Sequence, residues 1–268
     1  MFPRVLAFAA ALMTAGMSSP EALTTRSPQV PLPWQRTDSA RFEIHYVPAL
    51  ARELDRVMAS AERAYDRISE RLSFVLGTKV PLIMFAPTGS LTREQVVAYA
   101  TSEHVAPHQP HRSRIVLPLA ADDTQLDALI VHELTHLLFA EIILPSTGGD
   151  GGVPRWVHEG IASYMVGAWS EDQERMMREI VAAGDVPALS HLTGSGQFAN
   201  VRVNDTLGHV AFDYIENRWG PGGIRRFVQA LNVPRVNRTY DAVFGLTPAE
   251  FDTAFREYAE RRFVPVGR

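Results

Sequence analysis

The segment ADDTQLDALIVHELTHLLFAEI, Ala121 to Ile142, constrains this chain more than any other. Asp122, Asp123 and Thr124 offer caps and negative charge for a helix start, and the interior is rich in Leu, Ala and Glu, so a long helix is predicted. The flanks LDALIV and LLFA are apolar, which puts that helix inside a core. Yet HELTH sets His132, Glu133 and His136 in its middle. Buried polar groups without partners cost a few kcal/mol each, so the helix needs a reason to carry them. Two imidazoles at i and i+4 share one helical face and can reach a single ion from the same side, and metal coordination supplies that reason. Glu133, the next residue round, is poorly placed to join them as a ligand. It can face a water beside the ion, which is where a general base belongs.

The 268-residue chain contains no cysteine, so any metal is held by His, Asp or Glu, and neither disulfides nor a catalytic thiol are available. With 46% hydrophobic and 21% charged residues it can bury a proper core, as one domain of two lobes. A net charge of -4 argues against a nucleic-acid partner, which calls for a basic field. Arg4 followed by the apolar run Val5 to Met17 and SSPEALTT reads as a signal peptide over 1–25, cut between Gly16 and Thr25, and hence an exported protein, periplasmic or secreted. That run is too short for the ~20 residues a spanning helix needs, and no later run is long enough, so no stable membrane insertion is expected after cleavage.

A Pro-rich linker, 26–34, leads into the alternating RFEIHYV, Arg41 to Val47, a half-buried strand. Pro48 to about Phe74 has helical spacing, and its arginines from Arg41 to Arg71 read as a solvated face. VPLIMFAP, Val80 to Pro87, reads as a buried strand, Ser90 to Ala100 as a short helix, and Thr101 to Arg114 as a loop with His104, His108 and His111. That trio lacks a scaffold and a carboxylate partner, so it is not read as a second metal site. SRIVLPLA, Ser113 to Ala120, is a strand, and PSTGGDGGVP ends the metal helix. Helices are expected from Trp156 through Tyr164, Glu171 to Ala183, Leu207 to Trp219, Gly223 to Leu231 and Pro248 to Phe263. The fold class is therefore α+β: an α/β lobe over 35–143, with a small mixed sheet and the HELTH helix, then a mainly helical lobe over 144–268.

A catalytic zinc keeps three protein ligands and an open fourth position, so a third ligand is required. WVHEGIASY, Trp156 to Tyr164, offers His158 and Glu159, and adjacent helical residues point about 100° apart, so only one of them can face the ion. Trp156, Glu159, Gly160 and Ala162 match the W-x-x-E-G-x-A pattern, and here the chain resembles the gluzincin zinc metallopeptidases, in particular the aminopeptidase branch and small exported peptidases of that clan. The resemblance gives the ligand role to Glu159 and implies a zincin-like fold. Gly160 and Ala162 would let this helix approach the metal helix closely.

The resemblance also implies the activity: hydrolysis of peptide bonds in a peptide or protein substrate, with one Zn2+ on His132, His136 and Glu159 and with Glu133 as the base. By analogy, Ile115 to Leu119 would be the sheet edge on which an extended substrate pairs. No G-x-M-E-N segment precedes HELTH, so the element that recognises a free amino terminus is missing and an endopeptidase is favoured. Nor does VNDTLGHVAFDYI, Val203 to Ile215, hold a tyrosine where the transition-state donor is expected. His209 is the nearest substitute, while Tyr164 reads as packing. Two other readings remain open: a zinc-binding scaffold without activity, and an exported hydrolase of cell-wall peptides.

Overall fold

The computed structural model describes residues 34–85, 99–101, 114–119, 123–147, 153–192, 201–231 and 236–263. The expected signal peptide, the linker before Trp34, the three histidines of the expected 101–114 loop and most of the Ser90–Ala100 segment lie outside these residues, while the ends of that loop, Thr101 and Arg114, stand in strands.

Five strands form one sheet: β1 (Gln35–Asp38), β2 (Phe42–Tyr46), β3 (Val80–Phe85), β4 (Tyr99–Thr101) and β5 (Arg114–Pro118), in the order β1-β2-β3-β5-β4. The central β2, β3 and β5 are parallel and the two outer strands antiparallel. Alternation fixes the register. Ile44 pairs with Leu82 and Leu82 with Ile115, while Met84 pairs with Leu117, so fully buried side chains line up across one face. A one-residue slip would turn the whole row toward solvent.

Between β2 and β3 the chain crosses over through a 3-10 turn, Pro48–Glu53, and α1 (Leu54–Leu72). The single helix expected from Pro48 is thus broken at Glu53. Val57, Ala61, Ala64, Tyr65, Ile68 and Leu72 recur at helical spacing and are all buried. Arg71, expected on a solvated face, instead reaches Glu216 with one Nη2 at 2.6 and 2.7 Å from the two carboxylate oxygens.

The strand Ile115 to Leu119 is not the sheet edge: β5 lies between β3 and β4, and the three-residue β4 takes the outer place. Tyr99 and Ala100, expected to end a helix, therefore stand in a strand. Three residues carry too little pattern for alternation to declare itself. The polar β1, QRTD, shows no alternation either and was not anticipated.

The rest is helical: α2 (Asp123–Thr147), α3 (Arg155–Val166), α4 (Glu171–Ala183), α5 (Val201–Trp219), α6 (Pro221–Ala230), α7 (Val236–Phe244) and α8 (Pro248–Arg262). α4 and α8 each open with a full capping box, Ser170 with Gln173 and Thr247 with Glu250. α2 packs against α1 on one side and α3 on another, which explains its apolar circumference. Among the described residues no helix is long and apolar enough to cross a membrane.

α3 and α5 cross at Gly160 and Gly208. A methyl group built on Gly160 would lie 2.5 Å from the backbone of Gly208, so the two helices touch backbone to backbone. The small residue at 160 therefore serves the approach to α5, and not the approach to the metal helix expected from sequence. Trp156, fully buried, stacks on Phe227 and lies tilted against Phe212.

Candidate metal centre

α2 presents His132 and His136 one turn apart, with Nε2 atoms 3.0 Å from each other and the rings edge to face. α3 brings Glu159 to the same point: its Oε2 lies 3.6 Å from His136 Nε2 and 3.9 Å from His132 Nε2. Among the described residues these are the side chains grouped so that a metal could be held. His158 turns away, its ring edge-on to Phe139 at 4.9 Å. Glu133 is buried beside the pair, and its charge acts on His136.

The donor set suits a zinc ion. A tetrahedral site with bonds of 2.0–2.2 Å sets its ligand atoms about 3.3–3.6 Å apart, within a few tenths of an ångström of the 3.0, 3.6 and 3.9 Å separations here. A point about 2.1 Å from all three atoms exists, a zinc–ligand bond length.

The electrostatics follow from crowding three ionisable groups in a buried place. Burial, aided by the charge of His136, holds His132 down to about 3, so its imidazole is neutral. Burial also works against charge on His136, but the hydrogen bond and charge of Glu159, with Glu133 and Asp205, outweigh it and raise its pKa. Glu159 would be pushed up by burial, yet its hydrogen bond to His136 and the charges of His136, His132 and Arg155 hold it at about 2.

Three neighbours were not singled out from sequence. Arg155, one turn before Glu159, places Nη2 3.7 Å from Glu159 Oε1. Ser163, one turn after it, meets His209 Nδ1 at 3.1 Å and also bonds Asp205. Burial pushes Asp205 up to about 7, with the Glu159 charge adding to the effect. α5 begins at Val201 and not at the expected Leu207, so Asp205 stands on the helix. The i,i+4 spacing of Arg155 and Glu159 was a usable signal.

His209 does not join the cluster. Its ring lies against Tyr164 and Trp169, and burial together with the Arg262 charge lowers it to about 4. Tyr164 is packing, as read from sequence, with its hydroxyl donating to Glu216.

No family model matches the sequence, and no curated protein does. Solved structures do match in fold. A two-domain M1 zinc metallopeptidase mutant bound to L-arginine aligns with a TM-score of 0.50 at 14% identity, over 85% of this chain and 52% of that one. An M1 zinc metallopeptidase from Deinococcus radiodurans aligns with a TM-score of 0.48 at 13% identity, over 87% of this chain and 52% of that one. The chain spans about half the length of these structures. The first likeness is one of fold: an α+β chain with a small sheet and a mainly helical remainder.

Proposed function

We propose that this chain is a zinc-dependent peptidase of gluzincin type, with His132, His136 and Glu159 as the metal ligands and Glu133 as general base. The observation that carries the reading is the convergence of two imidazole nitrogens and one carboxylate oxygen from two helices on one point. The fold shared with an M1 zinc metallopeptidase supports it.

Zinc bound there would polarise the scissile carbonyl and lower the pKa of a water in the open position. With the ion bound, Glu133 would accept the proton of the attacking water and deliver it to the departing amine nitrogen. Its side chain is buried on the metal helix, directly after His132 in the chain. His132 and His136 are held by the helix in one orientation and present Nε2 to the ion. The substrate is a peptide whose extended backbone adds to the outer strand β4, where hydrogen bonding is independent of sequence. Cleavage is internal, because no G-x-M-E-N segment stands before HELTH to capture an amino terminus. Export, read from the Val5–Met17 run, belongs to the same proposal.

The decisive experiment uses two variants, with zinc content and casein cleavage measured together. Glu133→Gln is expected to keep one zinc and lose hydrolysis by several orders of magnitude, while His136→Ala loses the ion. Wild-type turnover in the Gln variant would remove Glu133 from its role. One zinc per chain with no cleavage of any peptide by the wild type would favour a binding module.

A further inference from the structure

Arg155 is the first residue of α3, where the positive end of the helix dipole disfavours a cation, and the first turn holds no acid to offset it. Its pairing with Glu159 also runs in the weaker i,i+4 order, base before acid. Helix stability therefore does not explain an arginine here. The side chain is largely buried, and its Nε makes no hydrogen bond among the described residues. What the guanidinium does reach is Glu159 Oε1, at 3.7 Å, while Oε2 of the same carboxylate faces the two imidazoles.

A carboxylate can ligate a cation through one oxygen or through both. Two-oxygen ligation by Glu159 would fill the position that a catalytic zinc keeps for water. We propose that Arg155 is a positioning residue that holds Glu159 Oε1 away from the ion, so that ligation runs through Oε2 alone and the fourth position stays open. The inference rests on the metal-site reading above. Arginine suits the task because its guanidinium is planar, offers several donors and stays charged at all relevant pH values. The arrangement also weakens metal binding, since a fixed positive charge stands beside the ion. An arginine whose only role was to brace the fold would have the opposite effect, and its loss would loosen the site.

Cobalt(II) in place of zinc separates these cases, because its visible absorption weakens as coordination number rises. The wild-type cobalt protein is expected to show the strong bands of a four-coordinate ion. In Arg155→Met the bands weaken as the second oxygen enters, zinc binds as tightly as before or more tightly, and casein turnover falls roughly 10- to 100-fold. Arg155→Lys, which keeps the charge without the planar fork, is expected to lie between. Arg155→Gln serves as the second neutral variant if circular dichroism shows the Met variant unfolded. Unchanged band intensity in the folded neutral variant overturns the proposal, whatever happens to activity. A wild-type protein that takes up neither cobalt nor zinc overturns the metal-site reading and this inference with it, whereas normal uptake with unchanged bands overturns this inference alone.

Discussion

His136 governs the acid–base behaviour of the centre, because its pKa is raised while that of His132 is lowered. Its folded pKa lies above 6.5, so its contribution to the metal-free protein is fully present below pH 6.5 and lost as pH rises through the raised value. His132 has the opposite sign. Held near 3, it takes up a proton only on unfolding, so its share of stability falls as pH drops below 6.5. An ion must displace the His136 proton before it can bind. Zinc binding near pH 6.5 is therefore expected to release about one proton, and affinity to weaken as pH falls through the raised His136 value. Calorimetry in two buffers of different ionisation enthalpy counts that proton. A count near zero would mean that His136 is neutral without the ion.

The crossing of α3 and α5 at Gly160 and Gly208 fixes the helix that carries Glu159. Alanine at 160 gains up to about 1 kcal/mol of helix propensity. Against this, its methyl group would meet backbone at 2.5 Å, which no rotamer change relieves, and overpacking of that kind costs about 1–3 kcal/mol or more. The clash wins. Gly160→Ala is expected to lower the melting temperature by several degrees and to weaken zinc binding, since α3 must shift as a body. A variant with unchanged zinc affinity would show that Glu159 is positioned by other contacts.

Much of this was legible in the sequence wherever period and burial agreed. α4 falls where Glu171 to Ala183 was read, and β2, β3 and β5 follow from alternation or from short apolar runs. The convergence of His132, His136 and Glu159 was readable from the i,i+4 rule together with one motif. Short or polar elements were not legible: β1 has no apolar face, β4 has three residues, and α7 follows closely on α6. Nor could the partner of Gly160 be read, because a glycine announces a close approach without saying to what.

A polar cluster joins three helices: Arg71 of α1 and Tyr164 of α3 both meet Glu216 of α5, and the Arg71 guanidinium also lies over the Tyr164 ring. The ion pair is about a third exposed, so solvent screening limits its worth. Arg71→Met is expected to cost about 1–2 kcal/mol, and the double variant Arg71→Met/Glu216→Gln less than the sum of the singles. Urea unfolding of the four proteins gives the coupling, and strict additivity would mean that Arg71 and Glu216 do not act together in joining the helices.

The Gly160–Gly208 contact bears on how such a protein can change over generations. Because the crossing is set by two residues without side chains, the surrounding core can be repacked with other apolar shapes and the neighbouring carboxylate keeps its place. A side chain at either glycine would meet backbone, so this is a point at which adding even one carbon atom forces two helices apart.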